Sequence, residues 1–146
     1  AYLWDTAFIA QTWMYWDPKI AQELMRYLFR FQKKSGIIHH AVLEILVKPY
    51  PYSDSQPPVL AWTTWRIFEQ SGDVEFLRES YPHLKRYHAW LKKNRRHPDG
   101  LYFWKKAYES GIDNSPRFTN RSESWMDDTT KLVSVDISAY MAQSME

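Results

Sequence analysis

Apolar side chains recur at helical spacing through most of this 146-residue chain. For example, Ile20, Leu24, Leu28 and Phe31 fall on one helical face. An amphipathic helix carries such a stripe because its side chains return to the same face every three or four residues. No stretch alternates apolar and polar residues for long enough to predict a strand, apart from a possible short ribbon at residues 101–104. The pattern predicts an all-α fold with about five helices and long loops.

Proline, glycine and aspartate mark the ends of the predicted helices. Asp17-Pro18 combines an N-cap with a proline at the first helical position, and Pro57-Pro58 opens the third helix. Asp73 caps a short helix that we expect to stop before Pro82 and to restart there, because proline lacks a main-chain donor. The last helix is predicted to begin near Asp136. The helices are expected to form pairs joined by long loops.

Two apolar regions are predicted to lie in the core. Residues 2–16 would be apolar on nearly every side of a helix, which is the pattern of a buried helix. Trp62 and Trp65 lie inside the third helix, so we expect them in the core rather than in a ligand pocket.

The composition is that of a globular protein and argues against several function classes. Hydrophobic residues make up 45% of the chain and charged residues 25%, and the formal net charge is +2. The most basic run, residues 92–97, lies at a predicted helix end and is interpreted as solvated, so no nucleic-acid partner is expected. Cysteine is absent, and no apolar run is long enough to span a membrane. We expect a cytoplasmic protein, with secretion left open.

A polar segment at residues 109–118 stands out in a chain with 17% aromatic residues. It carries carboxylates, a glycine, an amide, hydroxyls and an arginine shortly after the aromatic stretch 100–104. Such groups suit a sugar-cleaving site, because an acid must protonate the glycosidic oxygen and sugar rings stack on aromatic surfaces. The same residues are also compatible with a solvated loop in which Asp and Asn form local turns.

Four motifs occur along the chain in one order. They are Tyr2-Leu3-Trp4-Asp5-Thr6-Ala7-Phe8, Ser55-Gln56-Pro57-Pro58, Glu109-Ser110-Gly111-Ile112-Asp113-Asn114-Ser115-Pro116-Arg117 and Val135-Asp136-Ile137-Ser138. In this order the chain resembles the inverting glycosidases of families 63 and 37, which include mannosylglycerate hydrolases, α-glucosidases and trehalases. The resemblance implies an (α/α)6 toroid, in which helix pairs surround a central sugar pocket.

The resemblance also implies roles for individual residues. Asp113 corresponds to the general acid of the family. Trp4 and Asp5 correspond to residues that hold the sugar in the cleavage subsite, and Gln56 and Gly111 contribute there.

Three further residues are matched less closely. Gly36-Ile37-Ile38-His39-His40 corresponds to a family segment of the form Gly-x-x-Pro-His or Gly-x-x-Pro-Asn, so His40 matches a polar sugar contact while His39 replaces the proline. Glu109 matches a recurrent acidic position near the general acid, and Trp104 is a candidate pocket aromatic. Because His39-His40 lacks the spacing of a metal site, no metal or cofactor is expected.

The implied activity is hydrolysis of an α-glucosidic or α-mannosidic bond with inversion, on a small saccharide or glycoside. An inverting enzyme needs a protonated acid and a base carboxylate roughly 6.5–9.5 Å apart. Asp113 can stay protonated if aromatic burial and a nearby carboxylate such as Glu109 raise its pKa.

None of the glutamates present matches the family's base, so residues 1–146 are expected to be the N-terminal part of one catalytic domain. Helices without partners would then favour self-association. The alternative is a catalytically silent carbohydrate-binding or scaffold fragment. Two simpler interpretations also remain open: Asp5 as a cap of the first helix, and Gln56 as the residue before a proline helix start.

Overall fold

The computed structural model describes residues 1–42, 54–112, 115–118 and 128–144. In these ranges the chain forms α1 (Leu3–Trp13), α2 (Pro18–Arg30), α3 (Leu60–Ser71), α4 (Val74–Asn94) and α5 (Val135–Gln143). A 3-10 turn, Ala107–Ser110, lies between α4 and α5. Across these ranges, β-structure is limited to isolated bridges such as Arg96 with Tyr102, in place of the ribbon predicted at 101–104. The prediction of an all-α fold is confirmed.

Two predicted helix starts are confirmed by their capping bonds. The Asp17 carboxylate accepts a hydrogen bond from Lys19 N at 2.9 Å, and Pro18 is the first residue of α2. The Asp73 carboxylate accepts from Phe76 N at 3.0 Å. Each bond satisfies a main-chain donor that the first turn of a helix leaves without an internal partner.

The predicted break at Pro82 is wrong, because α4 is one continuous helix of 21 residues. An interior proline costs a helix about 3 kcal/mol. Large buried side chains lie on both sides of Pro82, with Phe76 before it and Tyr87 and Leu91 after it. Burying each contributes roughly 1.5–3 kcal/mol, so packing outweighs the cost of the proline.

The core lies where the helices meet. α1 packs against α2 and α3, and α4 packs against α2 and α3. The loop after α4 and helix α5 also contribute. The largest fully buried side chains are Trp104, Tyr87, Phe76, Leu3, Met25, Leu28, Ile38, Leu60, Ile67, Leu91, Ile137 and Met141.

The outer faces of α1 and α3 are more exposed than predicted. In α1, Phe8, Ile9 and Trp13 are exposed, because the buried face consists of smaller residues such as Ala7 and Ala10. Trp62 and Trp65 in α3 were predicted to lie in the core but are 36% and 50% exposed. The buried face of α3 is instead formed by Leu60, Thr63, Thr64 and Ile67. An aromatic face is therefore open on the described part of the molecule.

None of the described helices combines the length and the apolar character that crossing a membrane requires.

Gly36 and Gly72 provide a matched test of backbone constraint. Both have positive φ, at 102° and 69°. A Cβ at Gly36 would overlap the Arg86 carbonyl and lie 3.3 Å from Trp90 Cβ, whereas a Cβ at Gly72 would meet nothing within 4 Å. We expect Gly72→Ala to lower the free energy of unfolding by about 1–2 kcal/mol through the backbone alone. Gly36→Ala should lower the free energy of unfolding by about 1–3 kcal/mol more than Gly72→Ala does, because of the steric overlap.

Urea-induced unfolding of the two variants and the unaltered protein measures both effects. Equal losses for the two variants would contradict the packing described for Gly36.

Candidate functional site

Two loops cap the N-terminus of α1. Leu3 N donates to His40 O and Trp4 N donates to the side-chain Oε1 of Gln56, both at 3.0 Å. Tyr2 precedes the helix without providing a side-chain cap. These bonds satisfy donors that would otherwise lack partners at the first turn. The start of α1 therefore depends on residues distant in sequence.

The capping bonds decide whether Asp5 and Gln56 serve only to start helices, as the simpler interpretations of the sequence held. Asp5 does not cap α1, because the cap is provided by Gln56. The Asp5 side chain is exposed, and within the described ranges no donor forms a hydrogen bond with its carboxylate. Gln56 is 3% exposed, and its main-chain oxygen accepts from Tyr87 Oη at 3.2 Å. Gln56 is therefore held at both its side chain and its main chain.

Gly111 packs directly against Trp4. Gly111 follows the 3-10 turn with φ of 72°, a region that favours glycine. A Cβ at this position would overlap the six-membered ring of Trp4 and lie 2.7 Å from its Cε2 atom. Only a glycine allows this approach. The structure thus brings Trp4, Asp5, Gln56 and Gly111 together at one end of α1.

His40 lies beside the same helix end. Its main-chain N–H donates to Asp54 O at 2.9 Å, and its carbonyl caps Leu3. The half-buried imidazole makes edge contacts with Tyr2, at a ring-centroid distance of 5.5 Å, and with Tyr108, at 4.9 Å. These contacts hold the ring between Tyr2 and Tyr108.

Glu109 is fully buried and both of its carboxylate oxygens accept hydrogen bonds. Oε1 accepts from Ser55 N at 2.6 Å, Ser55 Oγ at 3.1 Å and Arg95 Nη2 at 2.6 Å. Oε2 accepts from Arg95 Nε at 3.1 Å and Lys105 N at 2.6 Å. The planar guanidinium therefore pairs with the carboxylate through two bonds, a strong and directional arrangement.

Asp54 forms a second buried contact between the same two segments. One oxygen of its carboxylate accepts from Tyr108 Oη and lies 3.3 Å from Lys106 Nζ. The side chain is 1% exposed, and its Oδ1 atom has no hydrogen-bond partner within the described ranges. Segment 54–56 is therefore joined to segment 105–109 by two carboxylates, one from each segment: Asp54 and Glu109.

Tyr87 lies close to this buried charge. Burial raises the pKa of Tyr87 well above its ordinary value, and the negative charge of Glu109 adds to the shift. The phenol therefore stays protonated and can donate to Gln56 O.

Trp104 is fully buried, so the structure places it in the core. Its indole N–H donates to the carboxylate of Asp136 at 3.2 Å. Asp136 also forms an ion pair with Arg117, and its Oδ1 accepts from Ile137 N at 2.9 Å at the start of α5. Trp104 thus connects the loop after α4 to α5 and to the residues that follow Asp113.

Asp113, the predicted general acid, lies outside the described residues, as does Asn114. The residues on either side are fixed. Ile112 N donates to Ser110 Oγ, and Ser115 N donates to Ile112 O, both at 3.0 Å. Gly111, two residues before Asp113, contacts Trp4.

The sequence interpretation missed Arg95 and Ser55. Arg95 belongs to the basic run that was interpreted as solvated, but its side chain is only 4% exposed and pairs with Glu109. Lys92, Lys93 and Arg96 are exposed, as that interpretation predicted. A run of like charges does not reveal which member turns inward, and Arg95 could be found only by asking which cation neutralises a buried Glu109.

Within the described ranges, no group of three His, Cys, Asp or Glu side chains is arranged to hold a metal ion.

Comparison with known proteins assigns the chain to a glycoside hydrolase family. The whole chain, residues 1–146, matches the mannosylglycerate hydrolase MGH1-like glycoside hydrolase domain family. The chain belongs to this family.

Its similarity to a mannosylglycerate hydrolase of Thermus thermophilus is 31% identity, covering 79% of this chain and 33% of that protein. The chain thus spans about a third of the length of that curated relative.

Solved structures of the same family resemble this chain in fold. The chain superimposes on a family 63 mannosylglycerate hydrolase of Thermus thermophilus in complex with glucose, with a TM-score of 0.73 and 27% identity. That match covers 97% of this chain and 40% of the other. A second structure of the enzyme, with Tris and D-glycerate, gives a TM-score of 0.72 and 32% identity over 81% of this chain and 32% of the other. The helices α1 to α5 therefore belong to a helical toroid, as the sequence motifs predicted.

Gln56 provides a test of the cap on α1. Gln56→Met keeps the side-chain length but removes the acceptor for Trp4 N, so the free energy of unfolding should fall by about 1–2 kcal/mol. Gln56→Glu keeps an acceptor, and a negative charge is favourable at a helix N-terminus. Because Gln56 is 3% exposed, the cost of burying a carboxylate opposes this gain, and we expect Gln56→Glu to be at least as stable as Gln56→Met in urea unfolding.

Gln70→Met, at an exposed position of α3, controls for the methionine itself. If Gln56→Met were as stable as this control, the capping role would be ruled out.

Proposed function

We propose that the full-length protein containing these residues hydrolyses an α-linked glucoside or mannoside with inversion of configuration. The observation that supports this most is the contact between Gly111 and Trp4. It joins the segment that carries Asp113 to the start of α1, where Asp5 and Gln56 also lie. Family membership supports the reaction class.

In this proposal the sugar binds at the N-terminal end of α1. The half-buried indole of Trp4 offers a flat apolar surface on which a sugar ring can stack. The exposed Asp5 carboxylate can accept hydrogen bonds from sugar hydroxyls. Gln56 uses Oε1 for Trp4 N, while its Nε2 has no acceptor within the described ranges and can donate to the ligand. His40, whose main-chain oxygen accepts from Leu3 N at the same helix end, is proposed to add a polar contact.

Trp104 and Glu109 are proposed to act differently from the other predicted site residues. Both are fully buried, so neither offers an open surface to a sugar. We propose that they support the binding residues from behind, Trp104 through Asp136 and Glu109 through Ser55.

Asp113 is proposed as the general acid that protonates the glycosidic oxygen. A base carboxylate on the opposite side of the sugar would activate water, at a separation of roughly 6.5–9.5 Å from the acid. We propose that this base is a glutamate outside the 146 residues. The relatives' structures contain glucose or D-glycerate, so mannosylglycerate and glucosylglycerate are the first substrates to test.

Residues 1–146 are proposed to be the N-terminal part of one catalytic domain. The chain spans about a third of its curated relative, and the open aromatic face of α1 and α3 includes Phe8, Trp62 and Trp65. Further helices of the same domain would cover this face, since large exposed apolar patches usually mark a contact surface.

Asp113→Asn in the full-length protein tests the general acid. An amide cannot supply the proton, so kcat should fall on the order of 10²–10⁴-fold. Asp17→Asn is a matched control, because Asp17 is a surface N-cap and asparagine caps equally well. Proton NMR of the first product anomer released tests inversion.

Turnover of Asp113→Asn close to that of Asp17→Asn would contradict the assignment. Binding without turnover by the unaltered protein would instead favour a silent carbohydrate-binding role.

Asp5→Asn and Gln56→Glu test the sugar-binding residues. Each removes a hydrogen-bonding capability while keeping side-chain size, so KM should rise by about tenfold, corresponding to a lost hydrogen bond to a polar ligand. Gln56→Glu should do so while retaining an acceptor for Trp4 N at the start of α1. An unchanged KM in both variants, measured with the substrate of highest kcat/KM, would place the sugar elsewhere.

A further inference from the structure

We propose that the buried Glu109–Arg95 ion pair positions the two loops of the candidate site relative to each other. Glu109 is then a positioning residue that acts through Ser55 and the 3-10 turn, without contacting the sugar. This inference rests on the proposed function for its consequence in catalysis, although the positioning itself can be measured independently.

The first argument is the saturation of the Glu109 carboxylate. Its side chain is 0% exposed, and that of Arg95 is 4% exposed. Both carboxylate oxygens already accept from Ser55, Arg95 or Lys105, so a sugar hydroxyl would have to displace a charge-assisted bond. Arg95 is held as well: its guanidinium lies 4.8 Å from the Trp90 ring, and Nη1 donates to Asn94 O at 3.0 Å. Both side chains of the pair are therefore held in place by several contacts.

The second argument concerns the loop that caps α1. Glu109 binds both the main-chain N–H and the hydroxyl of Ser55, the residue immediately before Gln56. These two bonds set the direction of the chain entering Gln56. Gln56 then reaches Trp4 N with its side chain. The Glu109 carboxylate is thus connected to Trp4 through two consecutive residues.

The third argument concerns the segment leading to Asp113. Glu109 lies in the 3-10 turn, two residues before Gly111. Ser110 Oγ donates to Ala107 O at 2.7 Å, and Gly111 N donates to Tyr108 O at 3.1 Å. Because the turn is braced internally, fixing Glu109 also fixes Gly111 against Trp4. The Glu109 carboxylate is therefore connected to Trp4 twice: through Ser55 and Gln56 to its main chain, and through Gly111 to its ring.

The Asp54 contact joins the same segments and strengthens this interpretation. Asp54 precedes Ser55 and binds Tyr108, which precedes Glu109. Two neighbouring residues of one loop are thus attached to two neighbouring residues of the other. A simple charge deletion at Glu109 would remove the carboxylate that pairs with the buried Arg95 guanidinium, which is strongly destabilising. The test must therefore separate positioning from folding.

The experiment uses the full-length protein with three variants. Glu109→Gln preserves the size of the side chain but makes its amide NH2 face the N–H and O–H donors that surround the carboxylate. The double variant Arg95→Met with Glu109→Leu removes both charges, and replacing a buried pair with apolar side chains is often neutral for stability. Glu69→Gln is the control, since Glu69 forms an exposed ion pair with Arg66.

Two readouts are measured on each variant. The first is the split between kcat and KM on the best substrate. The second is the ¹⁹F NMR resonance of Trp4 in protein labelled with 5-fluorotryptophan, assigned through Trp4→Phe. Circular dichroism confirms that the variants compared are folded.

We expect the folded double variant to lose about tenfold or more in kcat with KM within about threefold, because small displacements of reacting groups slow chemistry strongly. Its Trp4 resonance should shift or broaden, and Glu109→Gln, where folded, should behave in the same way. The control should match the unaltered protein in both readouts. A rise in KM of about tenfold at constant kcat would overturn the proposal by making Glu109 a sugar contact.

An unchanged Trp4 resonance in the double variant would also overturn it. If the unaltered full-length protein shows no glycosidase activity, the proposed function fails, while the Trp4 resonance still decides whether Glu109 and Arg95 position the loop.

Discussion

The candidate site depends on neutralising one buried negative charge. A carboxylate removed from water is costly unless it is paired and its oxygens are fully hydrogen-bonded. Glu109 meets this requirement by collecting donors from three parts of the chain: Ser55, Arg95 and Lys105. These parts are the loop before α3, the end of α4 and the segment after it. Desolvation thus forces these three parts to meet at one point.

The contacts around Glu109 leave a small group of side chains at the start of α1 free to bind a ligand. Gln56 uses one end of its amide at the start of α1, and Gly111 leaves room for the Trp4 ring. Asp5 remains exposed beside them. A site with fixed polar groups next to an open carboxylate and an aromatic face is well suited to a sugar. The glycoside hydrolase family to which the chain belongs is consistent with this setting.

Much of this could be predicted from the sequence, and the failures have physical causes. Helical periodicity and capping residues such as Asp17 and Asp73 are local signals, so the all-α fold and the helix starts were predictable. Pro82 was misjudged because the packing of Phe76 and Tyr87 is a tertiary effect that overrides local preference. Arg95 was missed because a charged run does not show which side chain is buried. The order of the motifs predicted that Trp4, Gln56 and Gly111 share one site, but it could not predict the contacts between them.

The capping of α1 by Gln56 has a consequence for the order of folding. The two residues joined by this bond are 52 positions apart, and Ser55 and Glu109 are 54 positions apart. Closing such loops costs entropy that local helix formation does not. During synthesis, residues 54–56 therefore cannot be locked until residue 109 has left the ribosome. The start of α1 is translated before residue 109 but is completed only after it, so an intact cap on α1 reports that the chain as far as Glu109 has come together.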